Sequence, residues 1–160
     1  AGLYGSLSEW LDIELLSSVI RRLPHWHFVF IGKTEIDLSI LSREPNVRLL
    51  GSRPHQALPS YSQHWNASLL PFRDNPQIQA CNPLKLREYL AAGRPVVTTP
   101  FPALSPYRHL VKQVEDAESM VSALLATESI LGRNQQQIHA VADGDWSVKA
   151  KQVGQWLDAL

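Results

Sequence analysis

Asn82-Pro83-Leu84-Lys85-Leu86-Arg87-Glu88-Tyr89-Leu90-Ala91-Ala92-Gly93-Arg94-Pro95-Val96-Val97 decides how this chain is read. Asn and Pro are favoured at a helix N-cap and first helical position, so the pattern predicts a helix opening at Asn82-Pro83. Gly93 ends it, Pro95 follows, and Val96 begins a strand. On a helical wheel Leu86, Tyr89 and Leu90 share a face that should pack on a sheet. Lys85, Glu88 and Ala92 share another. Lys85 falls in the first turn, where unpaired backbone N–H groups and the helix dipole already favour an anion. Glu88 follows one turn later, with two acceptor oxygens matched to a pair of vicinal hydroxyls. The two side chains are expected to face one shared cavity, phosphate at the helix tip and ribose one turn along. An exposed Lys–Glu pair at this spacing is also the commonest surface arrangement, so spacing alone does not separate the two readings.

Outward from this segment, short apolar runs alternate with helical patterns. Leu3-Tyr4, Phe28 to Ile31, Val47 to Leu50, Ala67 to Leu70, Val96 to Thr99 and Val111 to Val114 read as strands. Helices are expected after Ser6, whose spacing to Glu9 suits a capping box, and on to Leu23. Others are expected over Ile36–Leu41, Ala57–His64, Asp116–Ala126, Ile130–Val141 and Val148–Leu160. The last would carry Val153, Trp156, Leu157 and Leu160 on one face, packed on its own sheet or on a partner domain. Strand-helix alternation implies an α/β, Rossmann-like parallel sheet with helices on both faces. In such sheets ligands sit beyond the carboxyl ends of the strands.

The 160 residues suit a single domain. Lys plus Arg and Asp plus Glu both total 15, so no general field points to nucleic acid or an anionic membrane. A single cysteine, Cys81, excludes an internal disulfide and fits a reducing cytoplasm. It lies beside a helix N-terminus and is expected to be an inert neighbour of the site. No apolar run has the length of a membrane span. There is no Walker A loop, no Gly-x-Gly-x-x-Gly and no Gly-x-Ser-x-Gly elbow. His25-x-His27 lacks a third ligand and reads as a polar lead-in to a strand rather than a zinc site. Glu115, Asp116 and Glu118 read as helix N-terminal charge. The five Trp residues read as core or interface fillers, with Trp10, beside Gly5, the exception worth testing.

The segment from Pro83 to Val97 resembles the donor-site helix of GT-B glycosyltransferases, in the group-one branch of retaining enzymes. Gly2-Leu3-Tyr4-Gly5-Ser6-Leu7-Ser8-Glu9-Trp10-Leu11-Asp12 is similar to the start of their C-terminal half. Asn46 to Gly51 resembles the central strand and its turn, and Asn66 to Phe72 the strand leading into the donor loop. Trp146 falls where the family often has an aromatic residue. The resemblance implies one domain, residues 1–160, that is the C-terminal, donor-binding half of a two-domain protein. It implies transfer of a sugar from a UDP- or GDP-linked donor to an acceptor hydroxyl with retention and without a metal or other cofactor. Glu88 would bind the ribose and Asn82, Pro83, Leu84 and Lys85 the diphosphate, with Lys85 and Glu88 central to catalysis. Gly5 and Ser6 would let backbone approach the phosphates, and Gly51, Ser52 and Arg53 would border the base. The partners would be the nucleotide sugar and an N-terminal acceptor domain, and any contact with the inner membrane would run through that other half.

The chain departs from the family pattern in two respects. Ala80 stands where many relatives carry a second glutamate contacting the sugar. Leu7, Glu9 and Trp10 stand where many have a basic phosphate clamp, and Arg73 or His55 is the nearest substitute for that charge. These departures keep open a non-catalytic sugar-nucleotide module, and the doubly wound architecture by itself also allows an epimerase half.

Overall fold

A computed structural model describes residues 1–144 and 146–158. Six parallel strands form one sheet: β1 (Gly2–Tyr4), β2 (Phe28–Ile31), β3 (Val47–Leu49), β4 (Ser68–Leu70), β5 (Val96–Thr98) and β6 (Lys112–Gln113), in the order β3-β2-β1-β4-β5-β6. Successive strand residues point to opposite faces, and the core divides accordingly. Leu3, Phe30, Leu69 and Val97 join a cluster with Leu16, Val19, Ile20 and Leu124. Tyr4, Ile31, Leu70 and Val96 join a second with Leu86, Tyr89 and Leu90. The first is covered by α1 (Ile13–Arg22) and α6 (Ala117–Leu125), the second by α5 (Leu84–Ala92). Between them in the chain lie α2 (Ser39–Ser42), α3 (Pro59–Ser62) and α4 (Pro76–Ala80). The α/β, Rossmann-like sheet with helices on both faces is the architecture expected from the sequence.

The strand order reverses at β1, which has β2 on one side and β4 on the other. The register of β1 with β2 runs from Gly2–Val29 to Tyr4–Ile31, whereas β1 and β4 share one registered pair, Gly2 with Ser68. The Tyr4 N–H instead donates to the Tyr89 phenol oxygen at 2.8 Å. One buried hydroxyl thus ties α5 to β1 at the switch point, where doubly wound sheets open a crevice.

Several expected boundaries move. Residues 6–11 form no helix: Leu7 bridges Thr34, Leu11 bridges Phe72, and both are buried. Asp12 caps α1 instead, accepting from Leu15 N–H at 2.9 Å. The helix expected over Ala57–His64 is a 3-10 turn, His55–Ala57, followed by α3. That over Ile130–Val141 shortens to α7 (Gln135–Ala140), capped by Asn134. Asp116 caps α6 in a reciprocal pair with Ser119, as helix N-terminal charge should. A 3-10 segment at Pro102–Leu110, held by Pro102 and Pro106, was not expected. The last helix, α8 (Trp146–Asp158), buries none of its side chains, so it does not pack on its own sheet. Trp146 and Trp156 are exposed, and Leu160 lies outside the described residues.

Candidate functional site

The start of α5 differs from its sequence reading. Asn82 does not cap it: the boundary residue is Pro83, at φ −70° and ψ 125°, and no side chain accepts from the first turn. The φ of Pro83 would suit a helix, but its ψ of 125° is extended, so Pro83 stands at the boundary and Asn82 lies one residue outside the capping position. Asn75-Pro76, by contrast, does what the dipeptide promises: Asn75 accepts from Ile78 N–H at 2.9 Å and Pro76 opens α4. The Leu86 N–H donates to the Pro83 carbonyl at 3.2 Å, so the Leu84 and Lys85 N–H groups are the ones that keep their capacity for an external acceptor.

Lys85 projects from this uncapped turn. A Cβ built on Gly5 would lie 2.7 Å from Lys85 Nζ and 3.0 Å from its Cε. The ammonium sits 3.6 Å from the centroid of the Trp10 ring. Gly5 adopts φ +113°, which disfavours a side chain, and this lets the lysine lie along bare backbone. Burial lowers the Lys85 pKa to about 8, against an opposing pull from the Glu88 charge. Gly5, Ser6, Trp10, Phe72, Cys81, Pro83 and Lys85 line a cavity of about 280 Å³. Burial raises the Cys81 thiol, and this outweighs the adjacent lysine charge.

Glu88 faces an adjoining cavity of about 220 Å³, with Tyr4, His55, Leu58 and Ser62 on its walls. His55 Nε2 lies 2.7 Å from a Glu88 carboxylate oxygen. The Tyr4 phenol is pushed above its ordinary range by burial, then by the Glu88 charge and a hydrogen bond to it. Burial pushes the Tyr89 phenol up in the same way.

The expectation of one shared cavity is thus corrected. The end of β1 passes between the two groups, with Tyr4 on the Glu88 side and Gly5 on the Lys85 side. A helical i,i+3 pair is close enough to interact, yet each side chain leans to a different neighbour. Of the sequence candidates, Gly5, Ser6, Pro83 and Lys85 come together, and Glu88 stands next door. Gly51, Ser52, Arg53, Asn82 and Leu84 line neither cavity. Arg53 is exposed and folds back to donate to the Ser52 carbonyl at 3.0 Å. The residue that the β3 loop delivers is His55.

Other candidates resolve simply. Ala80, the last residue of α4, is exposed. Arg73 is spent on the Leu11 carbonyl, 3.0 Å away. Glu118 pairs with Arg22. Among the described residues, no three His, Cys, Asp or Glu side chains are grouped to hold a metal ion. Nor is any described helix long and apolar enough to cross a membrane. Tyr4 and Tyr89 were read as strand and core residues. Their polar role needs the third dimension, though Tyr4, the last strand residue before a glycine, marks the right edge of the sheet.

The site can receive an anion at the α5 turn and hydroxyl groups at Glu88. Comparison with known proteins agrees in fold and family. Residues 3–128 match the family described as Glycosyl transferases group 1. TuaH of Bacillus subtilis, a glycosyltransferase named for teichuronic acid biosynthesis, is 33% identical over 141 residues, which cover 83% of this chain. The chain spans 35% of that relative's length. Among solved structures, AviGT4, a glycosyltransferase of avilamycin A biosynthesis, superposes at TM-score 0.65 and 15% identity over 97% of this chain and 50% of its own. HepE of Anabaena, solved with UDP-glucose, superposes at TM-score 0.68 and 14% identity over 99% of this chain and 48% of its own. The sheet is the Rossmann-like C-terminal half of a GT-B fold, and this chain belongs to the group 1 glycosyl transferases.

Proposed function

We propose that this domain binds the nucleoside diphosphate part of a UDP- or GDP-linked sugar. In the intact protein the sugar then passes to an acceptor hydroxyl with retention of configuration. One observation carries the reading. The lysine of an uncapped helix turn lies against the bare backbone of Gly5, one helical turn from a carboxylate. The diphosphate occupies the Lys85 cavity, accepting from the first N–H groups of α5 and from the ammonium. The ribose hydroxyls donate to Glu88, displacing His55, and the base extends past the His55–Ala57 turn. Positive potential at Lys85 and at the helix terminus stabilises the departing diphosphate in the place a divalent metal takes elsewhere. The acceptor is brought by an N-terminal domain closing over the carboxyl edge of the sheet, on the cytoplasmic side of the membrane.

Calorimetric titration of the chain with UDP, GDP and dTDP tests this. Millimolar or tighter binding of at least one is expected, lost in Lys85→Ala and Glu88→Ala. Absence of binding for all three sinks the proposal. Turnover of a nucleotide sugar by the longer protein separates an enzyme from a binding module.

A further inference from the structure

Glu88 is already occupied in the empty domain. Its Oε1 lies 2.7 Å from His55 Nε2, and the Tyr4 phenol is hydrogen-bonded to the same carboxylate. A pair of vicinal ribose hydroxyls uses both carboxylate oxygens as acceptors. The imidazole therefore stands where a ribose hydroxyl has to come.

The two partners are held very differently. Glu88 projects from the middle of α5 with its side chain 22% exposed, whereas the His55 side chain is 73% exposed. The backbone beneath His55 is fixed by its own turn. The Leu58 N–H donates to the His55 carbonyl at 3.1 Å, and the Ala57 N–H to the Pro54 carbonyl at 2.9 Å. Neither bond involves the imidazole, so a change of χ1 rotamer frees Glu88 and leaves the turn intact. Arg53, two residues earlier in the same loop, is turned to the Ser52 carbonyl instead.

We propose that His55 is an internal competitor for the ribose site. It covers Glu88 in the empty domain, swings away when a nucleotide binds, and holds harder as the pH falls. The inference rests on the donor reading above, in which Glu88 receives the ribose. Histidine is the side chain that gains charge as the pH drops from roughly 8 to 5, and a charged imidazole turns this hydrogen bond into an ion pair. The other titratable groups on the cavity wall keep their charge state over that interval. The Tyr4 phenol is held above its ordinary range and stays protonated, and the Arg133 guanidinium donates to the Ala91 and Ala92 carbonyls. Lys85, one turn earlier on α5, does gain charge there, its pKa being about 8, but it does so with or without the imidazole. An ion pair with one exposed partner shifts an equilibrium by roughly fivefold at most.

The test is calorimetric titration of the native chain, His55→Ala and His55→Gln with UDP-glucose and GDP-glucose, near pH 8 and near pH 6. The diphosphate of a nucleotide sugar keeps a fixed charge over that range, so comparison at each pH isolates the side chain. For whichever donor binds, His55→Ala should bind about twofold more tightly than the native chain near pH 8 and about fivefold more tightly near pH 6. His55→Gln keeps a neutral donor in place of the imidazole, so its affinity relative to His55→Ala should be the same at both pH values. Equal or weaker binding by His55→Ala near pH 6 overturns the inference, since the imidazole then serves the ligand or does nothing. So does an advantage of His55→Ala that is no larger near pH 6 than near pH 8. A ligand-free measurement checks the contact by itself. The His55 ring signals in NMR spectra of the empty domain, identified by their loss in His55→Ala, should move in Glu88→Gln; signals that stay in place overturn the inference. Absence of binding of both donors to all three proteins is a separate result, which overturns the donor reading and the competitor with it.

Discussion

Lys85→Met should make the empty domain more stable and a poorer ligand binder. Methionine preserves the unbranched stem that lies on Gly5 and removes the ammonium from a site that disfavours it. Lowering a lysine pKa from 10.5 to about 8 corresponds to a penalty of roughly 3 kcal/mol on the charged form in the folded state. Losing the contact with the Trp10 ring returns about 1 kcal/mol. The net gain at neutral pH is therefore about 1–2 kcal/mol. For a chain of this length that raises the melting temperature by about 3–6 °C. The sign of the pH dependence follows. Below about 8 the lysine is charged in folded and unfolded chains alike, and the penalty is present in full. Between about 8 and 10.5 the folded lysine releases its proton first, so the native protein gains on the variant; above 10.5 the difference vanishes. Melting curves of both proteins near pH 7 and near pH 10 measure this directly. In parallel, UDP affinity of the variant near pH 7 should drop about 10- to 100-fold with the loss of a charge-assisted contact. A variant that melts lower than the native chain at neutral pH refutes the argument, as does a gap that fails to narrow at alkaline pH.

Glu88→Gln keeps an acceptor oxygen for its neighbours but loses the ionised pair of acceptors, so UDP affinity should fall about tenfold or more with a stability change under about 1 kcal/mol. Parallel titrations with UDP and uridine should show the loss for both, since it concerns the ribose. Tyr89→Phe leaves the buried Tyr4 N–H without its acceptor and should cost about 1–3 kcal/mol in denaturant unfolding. Gly32→Ala should be the most damaging: a Cβ there drives into the Gly5 carbonyl oxygen, at a φ of +153°. Loss of soluble, folded protein is expected, read by expression and circular dichroism.

How much of this the sequence reveals depends on the range of the interaction. The sheet is legible because apolar runs such as Phe28 to Ile31 and Val96-Val97 need cover on both faces, and that need is local. The buried face of α5 is legible for the same reason, and Leu86, Tyr89 and Leu90 are indeed buried. Segments set by distant partners are not. Leu7 and Leu11 are recruited by bridges to Thr34 and Phe72, which override the capping-box spacing of Ser6 and Glu9. His55 reaches Glu88 across 33 residues, and Tyr89 reaches Tyr4 across 85. No local pattern announces either contact.

The two Asn-Pro dipeptides show why the difference matters for function. Asn75 caps the N-terminus of α4 with its own side chain, accepting from the Ile78 N–H. Asn82 withholds the same service from α5 because the extended Pro83 occupies the boundary. An uncapped terminus and a half-buried ammonium are both unfavourable in the empty domain. They are unfavourable in the same sense, since each is positive potential that no anion within hydrogen-bonding reach offsets; the Trp10 ring and the Glu88 charge compensate the ammonium only in part. Under the proposed function, a single anion bound between Gly5 and the α5 turn would relieve both at once. The local rules that this segment breaks are the ones the proposed anion site would have to break. The Lys85→Met exchange of stability for affinity measures how far the domain is held in readiness for its ligand.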